Sequence, residues 1–142
     1  MTAIHIREFR YPEDYAAAIH LWEAAGAGIR VGQSDAPEEI QKKLQRDPDL
    51  FLVAESGLEL IGTVIGGFDG RRGMVYHLAV AKEFRRRGIA SMLMAEVESR
   101  LRAKGCLKAY LIVRPDNVDA MQYYEKIGWA PLDDYFFTKI LG

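Results

Sequence analysis

Disulfide chemistry is excluded at once, because the 142 residues hold a single cysteine, Cys106, with no internal partner. The three histidines, His5, His20 and His77, are scattered and offer no zinc-ligand spacing, so no metal is expected. Cys106 reads as a small buried apolar residue at the start of a strand rather than as a catalytic thiol. Charge of one sign is missing too. Nineteen Lys and Arg stand against twenty Asp and Glu, a net charge of −1, which argues against a nucleic-acid partner and leaves any basic site to be local. No apolar run approaches the roughly 20 residues of a membrane span, and Met1 to Arg7 lacks the apolar centre of a secretory signal. A cytoplasmic protein with no membrane partner is therefore expected. No repeat, low-complexity run or linker interrupts the chain, which reads as one domain over 1–142.

What is present is a regular alternation of elements. Ile4 to Phe9 alternates apolar and charged residues as a strand does. Pro12 with Glu13 and Asp14 suits a first helical turn, and Tyr15, Ala18, Ile19, Trp22 and Ala25 continue at helical spacing until Gly26 and Gly28. Ile29 to Ala36 reads as a loop, and Pro37 opens a second, surface helix through Ile40 and Leu44. Leu50 to Ala54 and Leu60 to Phe68 form a hairpin about Ser56-Gly57, and Met74 to Val80 is the next strand. Ile89, Leu93, Val97 and Leu101 make one row of a long helix closed by Gly105. Leu107 to Val113 is a strand, Asn117 to Ile127 a helix capped by Gly128, and Tyr135 to Leu141 a last strand. The order β-α-α-β-β-β-α-β-α-β predicts an α/β (α+β) fold, a mixed sheet of six to seven strands with helices on both faces. The strands on either side of the long helix should lie parallel and adjacent.

Between them lies Val80-Ala81-Lys82-Glu83-Phe84-Arg85-Arg86-Arg87-Gly88-Ile89-Ala90-Ser91, a strand running through a small-residue turn into a helix. Such a turn aims unpaired backbone N–H groups at one point, and the helix dipole adds positive charge there. It is a phosphate site or an ordinary capped helix with a solvated arginine run. There is no G-x-x-x-x-G-K-[ST] and no G-x-G-x-x-G with an acidic ribose partner, so nucleoside triphosphates and dinucleotides are poor fits.

Arg85-x-x-Gly88-x-Ala90 resembles the R/Q-x-x-G-x-G/A signature of the GNAT superfamily of acyl-coenzyme A-dependent N-acyltransferases. Downstream, Asn117-x-x-Ala120-x-x-x-Tyr124-x-x-x-Gly128-Trp129 resembles the family's second signature, with Trp129 in place of the usual Phe. The resemblance extends over nearly the whole chain, and Phe51 to Glu55, Gly62 to Val64 and Gly66 to Gly70 are similar to small bacterial acetyltransferases of the YpeA type.

That resemblance implies acetyl-CoA as cosubstrate and an amine acceptor, small molecule or protein. The amides of Arg86, Arg87, Gly88, Ile89, Ala90 and Ser91 would hold the pyrophosphate, with Gly88 and Ala90 small enough for backbone to approach oxygen. Arg85 occupies the signature position, Arg86 and Arg87 either reach the 3′-phosphate or are solvated, and Lys126 is a weaker candidate for it. Leu78, Ala79 and Val80 would present main-chain groups to the pantetheine arm, as an added strand does. Asn117 is an N-cap by its own chemistry, and the resemblance adds a pantetheine contact. Tyr124 is the implied general acid, although a thiolate of pKa about 8.5 is a weaker base than a phenolate of about 10. For the general base, Tyr76 and His77 are candidates on the same strand. Strand alternation sends them to opposite faces, so at most one should line the site, and His77 has the better intrinsic chemistry. A satisfied structural histidine is the commoner case, so water-mediated deprotonation is the default and His77 the candidate set against it. Acceptor recognition is implied for Trp22 to Gln33 and Asp69 to Gly73, the latter read more simply as a turn. The activity implied is acetyl transfer to a primary amine by direct attack. The other reading is a regulatory module that binds acyl-CoA without turnover, against which Tyr124 speaks. A homodimer is left open.

Overall fold

The computed structural model describes residues 3–142; Met1 and Thr2, the start of the segment read for a secretory signal, lie outside the described residues. The chain divides into two compact units, the first running through Ile112 and the second covering Val113–Gly142.

The first unit holds β1 (Ile4–Glu8), α1 (Tyr15–Glu23), α2 (Pro37–Arg46), β2 (Phe51–Ser56), β3 (Glu59–Phe68), β4 (Gly73–Val80), α3 (Ile89–Ala103) and β5 (Ala109–Tyr110). Its sheet has the order β1-β2-β3-β4-β5, with β1 to β4 antiparallel and β5 parallel to β4 across the α3 crossover. Helix α1 begins at Tyr15 rather than Pro12. The Asp14 carboxylate accepts from Arg7 at 2.7 and 2.9 Å and from the Arg10 amide at 2.8 Å, which holds the preceding residues in a turn. In the second unit α4 spans Val118–Lys126.

Among the described residues the sheet has five strands, not six to seven, and the element order ends on α4. Two expectations change. The strand read over Leu107 to Val113 pairs only at Ala109 and Tyr110. Tyr135 to Leu141 forms no strand, and Tyr135, Phe137 and Ile140 are 93%, 88% and 86% exposed. Apolar alternation makes a segment extended, but a strand exists only through ladder hydrogen bonds to a neighbour, which composition does not supply.

Strand alternation divides the core. Thr63 and Ile65 face α1 and α2 among Phe9, Trp22, Ile40, Phe51 and Ala79, with Phe9 and Phe51 stacked at 4.1 Å. Gly62 and Gly66 face α3, whose Leu93, Val97 and Leu101 are buried. A Cβ at Gly66 would lie 2.7 Å from Val97 Cγ2, so glycine is what lets α3 lie this close to the sheet.

One irregularity organises β4. Thr63 is opposite Ala79 and Ile65 is opposite Tyr76, so His77 and Leu78 both stand against Val64. This is a β-bulge, and His77 takes φ 52° there, a left-handed conformation uncommon for a residue with a side chain. A buried chain of hydrogen bonds holds it: Trp22 Nε1 donates to Thr63 Oγ1 at 2.8 Å, and that hydroxyl donates to the His77 carbonyl at 2.8 Å. Thr63→Val keeps the shape but strands the indole N–H and the carbonyl. We expect a loss of about 2–4 kcal/mol in urea unfolding, at roughly 1–3 kcal/mol per unsatisfied buried group, with Thr63→Ser retaining most of the stability. An unchanged Thr63→Val midpoint would show that the chain does not hold the bulge.

Candidate active site

The bulge shifts side-chain parity along β4. Tyr76 and His77 were expected on opposite faces, but the extra residue turns both to the α1/α2 side, their rings 5.4 Å apart at 80°. Together with Asp35, Glu39, Ile40 and Met74 they line a cavity of about 340 Å³. The His77 ring meets Trp22 edge-on at 4.6 Å, and its Nε2 lies 2.9 Å from Asp35 Oδ1. Asp35 is buried and sits in a short 3-10 turn, Gln33–Asp35, where its other oxygen accepts from the Gly32 amide at 3.0 Å. Burial first, then the carboxylates of Asp47 and Asp35, push the Tyr76 phenol up to about 12.

On the far side of β4 the ladder with β5 ends early. Gly73 pairs with Ala109 and Met74 with Tyr110, and among the described residues no later residue of β4 continues it. Ala79 is held on the β3 side, where the Ala81 amide also donates to the Ile61 carbonyl at 2.8 Å. Alternation therefore turns the main-chain groups of Leu78 and Val80 to the edge that β5 does not cover. Ala79 differs from its neighbours: its side chain is in the core and its backbone faces β3. Arg85, at the signature position, folds back to donate from Nε to the Val80 carbonyl at 3.2 Å.

Between β4 and α3 the backbone reverses twice into the left-handed region, at Arg86 (φ 64°) and at Gly88 (φ 77°), the N-cap of α3. Alternating conformations of this kind make a concave nest of amides ahead of the first helical turn, where Ile89 and Ala90 have no carbonyl one turn behind them. Glycine at 88 answers to its φ and to the approach from outside, since a Cβ there would meet nothing within 4 Å. Ile89 is buried and anchors the turn. Arg86 and Arg87 are exposed, and the Arg87 guanidinium lies 5.0 Å from the Phe84 ring centre. Ser91 follows in the first turn of α3.

In the second unit Asn117 caps α4, its Oδ1 accepting from the Ala120 amide at 3.3 Å. Tyr124 lies on α4 with Tyr123 at 5.5 Å and Trp129 at 6.4 Å between ring centres. Burial first, and then Tyr123, push the Tyr124 phenol up to about 12, so it keeps its proton throughout the neutral range. Lys126 ends the same helix.

Asp69 Oδ1 accepts from the amides of Arg71 and Arg72 at 2.8 Å each, so that loop is a side-chain-closed turn. Cys106 is half-buried, with Sγ 3.4 Å from the Lys108 carbonyl. Asp35 escaped the sequence reading. It stood in a segment read as loop, and the only signal was an acidic residue two positions before the Pro37 that opens α2.

The profile of the Acetyltransferase (GNAT) family matches residues 15–129 of the chain. An acetyltransferase of Pectobacterium atrosepticum is 44% identical over 130 residues, covering 92% of this chain and 90% of that one. An acetyltransferase of Photorhabdus laumondii is 46% identical over 124 residues, covering 87% and 85%. Among solved structures, Ard1 from Thermoplasma volcanium superposes with a TM-score of 0.79 at 27% identity over 90% of this chain and 83% of that one. The PaiA N-acetyltransferase from Thermoplasma acidophilum, solved in complex with coenzyme A, superposes with a TM-score of 0.81 at 23% identity over 94% and 93%, a likeness of fold.

The two raised phenols set an alkaline limit on stability. Folded Tyr76 and Tyr124 hold protons that the unfolded chain releases from about pH 10, so between about 10 and 12 the unfolded state binds fewer protons and stability falls as pH rises. We expect urea midpoints to drop across that window and Tyr124→Phe to remove its share of the slope. An equal slope in the variant would contradict the Tyr124 shift.

Proposed function

The chain belongs to the acetyltransferase (GNAT) family and is an acetyl-CoA-dependent N-acetyltransferase, and from that premise we propose that it acetylates a primary amine by direct attack in a ternary complex. The observation that carries this reading is the course of β4. Beyond its bulge the main-chain groups of Leu78 and Val80 face an edge free of β5, and the strand then leads into the left-handed turn at Gly88.

In this reading Leu78 and Val80 offer ladder hydrogen bonds to the pantetheine amides, while Ala79 holds the edge in place through β3. One strand amide of that edge donates to the thioester carbonyl, and a preorganised donor of this kind is worth roughly 3 kcal/mol in the transition state. Arg86, Arg87, Gly88, Ile89, Ala90 and Ser91 surround the pyrophosphate with amides, and Arg85 stiffens the approach through its bond to Val80. Asn117 caps α4 and so sets the start of the helix that carries Tyr124. His77 accepts a proton from the amine.

Tyr124 is the general acid. Burial keeps it in the donating form but makes it weaker than the thiol it serves, about 12 against about 8.5, so complete transfer is uphill. Its contribution is a hydrogen bond to the sulfur that strengthens as negative charge develops there. Within the family we assign the chain to the small bacterial YpeA type. That assignment rests on the resemblance of Phe51 to Glu55, Gly62 to Val64 and Gly66 to Gly70, while the relatives at 44% and 46% identity carry the acetyltransferase family as a whole.

Two variants test the roles. Gly88→Glu puts a side chain and a negative charge where the phosphates approach, and we expect calorimetry on the folded variant to find no acetyl-CoA binding; native affinity would remove the turn from the donor site. Tyr124→Phe should bind acetyl-CoA normally and lose about 10²–10⁴ in turnover, the usual range for a general acid. Full turnover in that variant would take Tyr124 out of the mechanism, and tight binding with no transfer in the wild type would favour the regulatory alternative.

A further inference from the structure

The cavity between α2 and β4 contains a hydrogen-bonded His–Asp pair that the donor site does not use. His77 Nε2 lies 2.9 Å from Asp35 Oδ1, and the carboxylate, an acceptor only, fixes the ring proton on Nε2. Nδ1 is then the ring's remaining lone pair. Asp35 is itself pinned, by the Gly32 amide on its second oxygen and by the Tyr15 hydroxyl, which donates to its main-chain carbonyl at 2.7 Å. His77 is pinned from its other side by Trp22 and by the bulge. Of the other charged groups at the cavity, Glu39 pairs with Lys42 at 2.9 Å and Lys43 pairs with Asp47 at 2.8 Å. Tyr76 is neutral across the working range. His77, oriented by Asp35, is therefore the group left to meet an incoming ligand, in a cavity that Ile40, Ile65 and Met74 also line.

We propose that Asp35 is the positioning residue that makes His77 the proton acceptor for the incoming amine, and that this amine is an alkylammonium with a compact apolar body held in the cavity that both residues line. The inference rests on the transferase reading above and adds the acceptor class and the residue that orients the base. The volume, about 340 Å³, is at the small end of ligand sites, roughly 300–1,000 Å³. An alkylammonium with a pKa of about 10.4, like a lysine's, has no lone pair near neutral pH. It yields one proton to His77 Nδ1, and the imidazolium that forms is stabilised by the Asp35 carboxylate. The nitrogen lone pair then forms a bond to the acetyl carbonyl carbon while the carbon–sulfur bond breaks. The nitrogen sheds its second proton, the thiolate takes up one, and His77 returns its own to solvent. An amide, a thiol and one released proton result.

Two nucleophiles separate this role from a structural one. Phenethylamine is almost wholly protonated at about pH 7.5, whereas hydroxylamine is already neutral there and needs no base. In wild type, His77→Gln and Asp35→Asn, each checked for acetyl-CoA binding, release of free coenzyme A is followed with either nucleophile. His77→Gln keeps a donor toward Asp35 and guards against loss of the fold. The expected result is a fall of 10-fold or more in kcat/KM for phenethylamine in both variants, with hydroxylamine within about two-fold of wild type. Asp35→Asn in the His77→Gln background should cost nothing further, and imidazole should restore His77→Ala with phenethylamine. Equal losses for both nucleophiles, no loss for either, additive losses in the double variant, failure of imidazole rescue, or a wild type that acetylates hydroxylamine but not phenethylamine would each overturn the inference. A wild type that binds acetyl-CoA and acetylates neither nucleophile would instead overturn the transferase reading beneath it.

Discussion

The donated pair of hydrogen bonds from Trp22 to Thr63 and from Thr63 to the His77 carbonyl is the constraint on which the site depends. A bulge leaves a carbonyl without its ladder partner, and burying that carbonyl unpaired would cost roughly 1–3 kcal/mol. A threonine on the neighbouring strand satisfies it, and a tryptophan on α1 satisfies the threonine in turn. The extra residue in β4 is therefore a stable feature. Three elements, α1, β3 and β4, are tied together at the point where the strand changes parity.

That change of parity has two consequences on two sides of one strand. Toward α1 and α2 it brings Tyr76 and His77 to the same cavity, where Asp35 meets the imidazole. Toward the other edge, beyond the short pairing with β5, it turns the main-chain groups of Leu78 and Val80 away from β3, with no partner in β5. A regular strand would have separated the two aromatic residues and offered one continuous edge. Here one backbone irregularity supplies a hydrogen-bonding edge on one side and a titratable pair on the other. Gly62 and Gly66 let α3, the helix that the Gly88 turn opens, lie close on the sheet.

Much of this architecture was legible in the residues. The helical rows of α1 and α3, the β2–β3 hairpin, Pro37 opening α2 and Asn117 capping α4 all follow from local periodicity and capping chemistry, and the structure has each of them. The Gly88 turn was legible as small residues between a strand and an amphipathic helix, whereas the left-handed N-cap at Gly88 emerged only in the structure. Less was legible where the outcome lay in pairing. The last strand failed to form because Tyr135 to Leu141 has the right alternation and, among the described residues, no ladder partner. Asp35 went unseen because nothing local marks a loop carboxylate that will be buried against a histidine 42 residues away.

Local side-chain chemistry was sufficient to specify the four helices and the first four strands, that a small-residue turn joins β4 to α3, and that the chain resembles the acetyltransferase family. Those properties depend on residues within one or two turns of each other, whose steric and hydrogen-bonding preferences survive in any fold. The bulge, the shared face of Tyr76 and His77, the Asp35–His77 pair and the early end of the β4–β5 ladder needed the packed sheet. Each depends on register between strands or on a contact between distant segments, and an extra residue in one strand reverses every orientation after it without leaving a mark in the pattern of apolar residues.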